Sequence, residues 1–206
     1  MDKTAFKKKL DNYWYYYKIH TIVAIFVVIV LAVMIHQCVA RVEPDAMIII
    51  AGQSASVSSD DQQSMEKYFS SLSSDVNKDG KKYVECDAMT LGDGQTQEEM
   101  AYSVKLSANL VDKDNIIFIF DQATAQKYVS SNGGEGFRKI ADIVPGFSSD
   151  DAYALPISKT KLASQSFAKS LDGYGIYVRT SDTSNKKASY LSNVNNQINI
   201  VKKLAN

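Results

Sequence analysis

The first forty residues of the chain constrain its structure most strongly. Three consecutive lysines, Lys7 to Lys9, precede an aromatic block at 13–17, and a nearly unbroken apolar run extends from Ile19 to Ala40. As an α-helix, residues 19–40 would be roughly 33 Å long, which is about the thickness of the hydrocarbon core of a bilayer. The sequence therefore predicts a transmembrane anchor over 19–40, preceded by a basic and aromatic juxtamembrane helix over 1–18.

Signal-peptide cleavage is the alternative to a retained anchor. Cys38 and Ala40 are small residues that match the spacing of a signal-peptidase site. A secretory signal, however, has an apolar region of only about 7–15 residues, and its N-terminal region is not rich in aromatic residues. The length of the run favours the anchor and leaves cleavage as the open alternative.

The charges on the two sides of the apolar run predict its orientation. Arg41 is the only basic residue between the run and Lys67, whereas five lysines precede the run: Lys3, Lys7, Lys8, Lys9 and Lys18. The positive-inside rule then places the N-terminus in the cytoplasm and the remaining chain outside the cell membrane. The lysines suit the anionic lipid of the inner leaflet. Nucleic acid is not expected as a partner, because acids outnumber bases after the anchor.

Residues 46–206 are long enough for one domain with its own core, and the short linker 41–45 joins them to the anchor. Pro44 in this linker cannot continue a helix. Cys86 is the only cysteine of the domain, so no disulfide can form within it. The sequence therefore predicts an extracytoplasmic fold that is held together by its apolar core.

Strand and helix signals alternate along this domain. Short apolar runs predict strands at 46–51, 83–91, 115–120, 152–157 and 174–179, of which the fourth is limited to an edge or an end by Pro156. Thr96 and Glu99 form a capping-box signal. Apolar residues at helical spacing predict helices in the segments 65–76, 100–111, 122–131, 137–144 and 190–204.

Alternation of this kind predicts an α/β fold with a mostly parallel sheet and helices on both faces. The segment Ile116–Phe120 is apolar without interruption. Such a run is typical of a parallel strand in the interior of a sheet.

Five sequence blocks resemble a known family. They are KKKLDNYWYYYKIH with the apolar run behind it, VEPDAMIIIAG, DVNKDGK, IIFIFDQATAQKY and YGIYVRTSD. Together they are similar to single-pass membrane proteins of clostridial Firmicutes whose outer domain looks like one lobe of an extracellular solute-binding protein. The resemblance implies a topology and a fold, and fold alone does not imply an activity.

Histidine usage excludes several kinds of catalysis in the outer domain. Both histidines, His20 and His36, lie in the apolar run, so Ser-His-Asp and Cys-His mechanisms are not available outside the membrane. Ser158 and Lys161 match the S-x-x-K motif of penicillin-binding enzymes, but no SDN or KTG segment accompanies them. A non-catalytic protein is therefore expected, with Ser-Lys hydrolysis as the residual enzymatic alternative.

The DVNKDG segment is the most specific local motif outside the anchor. Asp75, Asn77 and Asp79 occupy positions 1, 3 and 5 of a calcium-binding loop, and the carbonyl of Lys81 occupies position 7. Position 12, however, holds Cys86 instead of a bidentate glutamate. The motif thus predicts a structural calcium site, and a polar turn without metal is the alternative.

Ligands of open α/β sheets bind at the carboxyl ends of the strands. Polar and glycine residues follow three of the predicted strands: Gly52 and Gln53, Gly92 and Asp93, and Asp121 and Gln122. These six residues are the candidate site for a small polar solute. Their alternative role is structural, with the glycines in turns and Asp121 as a helix N-cap.

Two non-catalytic functions remain open at this point. One is a membrane-anchored binding or sensing module for a small polar solute. The other is an accessory or scaffolding subunit of a membrane or cell-envelope protein complex. A cavity at the strand ends would favour the first, and an exposed apolar patch would favour the second.

Overall fold

A computed structural model describes residues 3–40, 42–53 and 57–205 of the chain. It divides into two compact units, Met1–Val42 and Glu43–Asn206. Arg41, which belongs to the predicted linker, lies outside the described residues, as do the side chains of residues 3–12 with their lysines.

The first unit is a single helix, α1, from Lys3 to Ala40. Its segment Tyr13–Ile35 has a mean hydropathy of 2.7 and is long and apolar enough to span a membrane. The apolar side chains along it are exposed, as shown by Phe26 at 65% and Ile35 at 63%. Helix α1 continues without a break through the predicted juxtamembrane segment, in which neither glycine nor proline occurs.

The second unit contains a six-stranded sheet and four α-helices among its described residues. The strands are β1 Ala46–Gly52, β2 Val84–Thr90, β3 Ile117–Phe120, β4 Phe137–Arg138, β5 Ala154–Pro156 and β6 Gly175–Arg179. The helices are α2 Ser59–Leu72, α3 Gln97–Val111, α4 Gln122–Tyr128 and α5 Ala188–Ala205. Short 3-10 turns occupy much of the chain between α4 and β6.

The sheet is mixed, so the prediction of a mostly parallel sheet is wrong. Its order is β2-β1-β3-β6-β4, and β5 pairs with β6 as well. Strands β1, β2 and β3 are parallel, whereas β6 runs antiparallel to each of its neighbours β3, β4 and β5. Strand β3 is interior as expected, but it is parallel to only one of its two neighbours.

The reversal of β6 follows from the connection that precedes it. Pro156 at the end of β5 lies opposite Gly175 at the start of β6. The intervening chain forms 3-10 turns, and the N–H of Ile157 donates to the carbonyl of Tyr174. The connection from β5 to β6 thus begins and ends at the same edge of the sheet, so β6 runs antiparallel to β5. A parallel β6 would need a crossover connection to the opposite edge.

Helices cover both faces of the sheet, as predicted. One apolar core joins the β1, β3 and β6 side chains of one face to α2 and α5, through residues such as Phe69 and Val201. A second core lies between the other face and helices α3 and α4, and it includes Leu106 and Phe118. Every residue of β3 is fully buried. The interior strand therefore positions the loops at both of its ends rigidly.

Helix α3 buries a different face from the one its predicted periodicity marks. Leu106 is fully buried, whereas Met100, Val104 and Val111 are exposed by 50%, 71% and 77%. The core contacts of α3 come from Leu106 together with partly buried Tyr102 and Leu110. Two apolar stripes therefore lie on this helix, and the one at 100, 104 and 111 faces solvent.

Candidate functional site

The predicted residues at the ends of β1 and β3 lie together. In the order β2-β1-β3, the connection from β1 leads to β2 on one side, and the connection from β2 leads back past β1 to β3 on the other, which makes the gap between β1 and β3 the switch point of the sheet. The backbone N–H of Gln53 donates to Oδ2 of Asp121 over 2.7 Å. The carboxyl ends of these strands thus meet at one edge.

Both carboxylate oxygens of Asp121 accept hydrogen bonds from backbone groups. Its second oxygen, Oδ1, accepts a hydrogen bond from the N–H of Thr124 at 2.8 Å and so caps helix α4. One carboxylate therefore joins the loop after β1 to the start of α4. This geometry matches the structural alternative for Asp121, since both of its oxygens already have partners.

Tyr174 closes the gap between β1 and β3. Its hydroxyl lies against the backbone of Gly52, so that any side chain at this position would overlap the tyrosine. Burial, and then the neighbouring Asp121, raise the pKa of Tyr174 to about 12. Gly52 is thus required for the close approach of a neutral phenol, and the open space lies beside the switch point.

Gly92 and Asp93 belong to the cap of helix α3. The carboxylate of Glu99 lies against Gly92 and accepts from the N–H of Thr96 at 3.1 Å, while Thr96 Oγ1 accepts from the N–H of Glu99. Hydrogen bonds from the Thr96 backbone foremost lower the pKa of Glu99. Asp93 accepts from both nitrogens of Gln95. These contacts confirm the predicted capping box and assign Gly92 and Asp93 to it.

The open space lies at the junction of β3, α4, β5 and β6. A cleft of about 660 Å³ occurs there, a size within the range of small-molecule sites. Of the predicted residues, Gln122 lines it. The other principal lining side chains are Asp150, Asp151, Tyr153, Tyr174 and Tyr177.

The acidic wall of the cleft is held in a fixed position. Oδ1 of Asp151 accepts from the N–H of Tyr153 at 2.9 Å, and Oδ2 accepts from the hydroxyl of Tyr177 at 3.3 Å. Burial foremost, then Asp151 and Asp121, raise the pKa of Tyr177, so its phenol remains a hydrogen-bond donor at neutral pH. The ring of Tyr153 lies against Gly134, where a larger residue would displace it.

Apart from Gln122, the cleft residues were not predicted as a site. Tyr153, Tyr174 and Tyr177 meet because β5 pairs with β6, with Ala154 opposite Tyr177. The only local sign was the pair Asp150 and Asp151 immediately before an apolar strand.

The DVNKDG segment folds as a tight loop around its own side chains. Asp75 Oδ2 accepts from the N–H of Gly80 at 3.0 Å, Asn77 Oδ1 from Asp79 at 3.0 Å, and Asp79 Oδ1 from Lys81 at 2.8 Å. Oδ1 of Asp75 is buried and has no hydrogen-bond partner. An unpartnered buried carboxylate oxygen is a suitable ligand for a cation.

Position 12 of the DVNKDG loop does not provide the bidentate glutamate of a usual calcium-binding loop. Cys86, at position 12, is a fully buried residue of β2, and burial foremost raises the pKa of its thiol. Asp87 beside it is paired with Lys105 at 2.7 Å. Within the described ranges, no group of three or more His, Cys, Asp or Glu residues is arranged to hold a metal. The loop itself offers two carboxylates, one amide and one carbonyl.

Asp45, in the predicted linker, holds this loop against β1. It is 2% exposed, and Oδ1 accepts from the N–H groups of Val76 at 2.6 Å and Asn77 at 3.2 Å. Oδ2 accepts from the N–H of Tyr83 at 3.0 Å. The sequence analysis assigned Asp45 only to the linker 41–45, because these partners lie more than thirty residues away in the chain.

The S-x-x-K pair is not assembled at a cavity. Ser158 lines a second cavity of about 470 Å³ together with Lys169, and Lys161 does not belong to that lining. Ser158 and Lys161 therefore do not line this cavity together.

No known protein-family model matches the sequence, and the comparisons with curated proteins and with solved structures gave no significant match. The structural class of the protein is therefore defined by the structure alone. The protein is an α/β domain with a mixed sheet, preceded by one helix that is long and apolar enough to span a membrane.

Proposed function

We propose that the chain is a membrane-anchored, non-catalytic module that binds or senses a small polar solute outside the cell. The cleft beside β6 is the observation that carries this proposal, because it combines ligand-sized volume with converging polar groups at the carboxyl end of β3. This location is also the one expected from the sequence blocks that resemble proteins with a solute-binding-like outer domain. The solute contacts would come from the cleft residues, with Gln122 as the one residue of the predicted set.

Blocking the cleft tests the proposal. Ala152 is exposed and lines the cleft, so Ala152→Trp would fill its opening, whereas Ala123 is exposed on α4 outside the cleft. A panel of sugars, amino acids, amines and organic acids is screened by thermal denaturation of residues 43–206. At least one solute should raise the melting temperature of the wild type and of Ala123→Trp, but not of Ala152→Trp. Equal shifts in all three proteins, or none, would refute the proposal.

Membrane topology is the second part of the proposal. A cytoplasmic N-terminus is supported by the five lysines before the span, because Arg41 is the only basic residue between the span and Lys67. We therefore expect protease added to intact cells to digest the α/β domain while an epitope tag at the N-terminus survives. Immunoblots against the tag and the domain report the two ends separately. Survival of both in intact cells, with loss of both after lysis, would contradict this topology.

Calcium is proposed as a structural ion of the DVNKDG loop, held by Asp75, Asn77, Asp79 and the Lys81 carbonyl. The buried, unpartnered Oδ1 of Asp75 supports this proposal. Calcium at about ten times its Kd should raise the melting temperature of residues 43–206 by roughly 3–6 °C, since it would bind only the folded loop.

Asp79→Ala should abolish this calcium-dependent gain, whatever its effect on the melting temperature without calcium. Magnesium at the same concentration controls for ionic strength. An unchanged melting temperature of the wild type in calcium would identify the segment as a turn without metal.

A partner-binding role is the second candidate function, and the exposed stripe of α3 favours it. Met100, Val104 and Val111 are exposed apolar residues at helical spacing, as in helices that dock into a groove of another protein. Under this alternative, the chain would be an accessory subunit of a membrane or envelope complex. Cross-linking in cells should then capture a partner of the wild-type protein, and Val104→Lys should abolish this cross-link.

A further inference from the structure

The cleft beside β6 has charge of one sign. Its lining includes Asp150 and Asp151 and no lysine, arginine or histidine. Asp121 lies close enough to both Tyr174 and Tyr177 to act on them electrostatically. The negative potential of these carboxylates opposes the entry of anions and favours cations.

The same cleft has an aromatic wall. Tyr153, Tyr174 and Tyr177 line it, but Tyr174 and Tyr177 are only 9% and 5% exposed, and the ring of Tyr177 packs against Phe120 and Phe137. Tyr153 is the partly exposed ring, and the face of such a ring attracts cations. In the described part of the domain, lysine ammonium groups lie over the rings of Tyr128 and Phe147, at 5.2 and 5.7 Å, and not over the three cleft tyrosines. The cleft rings are therefore not already engaged by a cation of the chain.

Asp151 provides a fixed anion beside these rings. Because the backbone of Tyr153 and the hydroxyl of Tyr177 each hold one of its oxygens, the carboxylate need not be ordered when a ligand binds. Each oxygen retains capacity to accept a further hydrogen bond. A neutral ligand would cover the carboxylate without compensating its charge, whereas an ammonium group would compensate it.

We infer that the solute of this cleft is a small organic cation carrying an ammonium group, with Asp151 as its counter-ion and Tyr153 as its aromatic wall. This inference rests on the proposed function, because it names the chemical class bound at the same cleft.

The test compares probes of matched shape and different charge. Choline and its uncharged carbon isostere, 3,3-dimethylbutan-1-ol, are titrated into the full chain in detergent micelles by isothermal calorimetry. Choline should bind at least about tenfold more tightly than the isostere, since loss of a desolvated cation–π contact has an effect of this order. Glucose and acetate are titrated in parallel as neutral and anionic solutes.

Two variants locate the binding. Asp151→Asn keeps the shape of the side chain but removes its charge, and it should weaken choline binding at least about fivefold. Asp142→Asn changes an exposed acid outside the cleft and should leave the affinity unchanged. The melting temperature of each variant shows whether it remains folded.

The outcomes separate this inference from the proposed function. Equal binding of choline and its isostere, or glucose or acetate bound at the cleft in place of choline, overturns the cationic assignment while leaving a solute-binding module. An unchanged affinity of folded Asp151→Asn for choline overturns the role of Asp151. If none of these probes binds and the wider solute panel also fails, both proposals fall.

Discussion

Asp45→Ala should lower the free energy of unfolding of residues 43–206 by about 4 kcal/mol. The substitution removes one buried carboxylate that accepts from three backbone N–H groups, those of Val76, Asn77 and Tyr83. Hydrogen bonds to a charged group contribute about 1.5–3 kcal/mol each, and the donors that remain lose their acceptor in a partly buried place. Urea denaturation followed by far-UV circular dichroism measures the change.

Two controls define this effect. Asp45→Asn retains one acceptor oxygen and should cost less than the alanine substitution. Asp142→Ala removes an exposed carboxylate and should change the free energy by less than about 0.5 kcal/mol. If Asp45→Ala were as mild as Asp142→Ala, the attachment of the DVNKDG loop through Asp45 would be wrong.

Asp121→Ala should lower the free energy of unfolding by about 2–3 kcal/mol. It removes the N-cap of α4 and also the acceptor of the Gln53 N–H, and a lost cap alone costs about 1 kcal/mol. Asp121→Asn should cost about 1 kcal/mol, because one amide oxygen can replace only one of the two acceptors. The same urea titration measures both variants.

The affinity for a cleft ligand shows whether Asp121→Asn affects binding as well as stability. Because both oxygens of Asp121 bond to backbone groups and Asp121 does not line the cleft, Asp121→Asn should weaken the binding of a cationic cleft ligand less than Asp151→Asn does. A large loss of affinity with little loss of stability would instead place Asp121 among the ligand contacts.

Local signals in the sequence predicted much of the domain. The apolar runs of β1 and β3 and the capping box of Thr96 and Glu99 were readable, because each depends on neighbours within a few residues. The cap of α4 by Asp121 was also readable for this reason. The interior position of β3 followed from its uninterrupted apolar character.

Features that depend on distant pairing were not predictable in this way. The reversal of β6 arises from its register with β5, which brings Pro156 opposite Gly175 across a long connection. The burial of Gln197 in α5 also depends on distant partners. Its side-chain amide accepts a hydrogen bond from the N–H of Ile116 and donates one to the carbonyl of Asp114, and both partners lie more than eighty residues away in the chain. A helical pattern alone would have placed this glutamine in solvent.

The cleft was missed for the same physical reason. Its tyrosines and acids come from β6 and from the segments just before β5 and β6, so their proximity is a result of strand pairing. The predicted site residues at the ends of β1 and β3 lie at the same edge of the sheet as the cleft. Packing of Tyr174 over Gly52 moves the open space from the switch point to the neighbouring gap.

Chemical-shift mapping by NMR tests most directly whether this domain binds a solute at the cleft. ¹⁵N-labelled residues 43–206 are titrated with the solutes that raise the melting temperature. The proposed function predicts saturable shifts of the amides of Gln122, Tyr153 and Gly175, with those of Met100 and Val104 on α3 unchanged. Shifts confined to α3, or no saturable shifts with any solute of the panel, would contradict a solute-binding role.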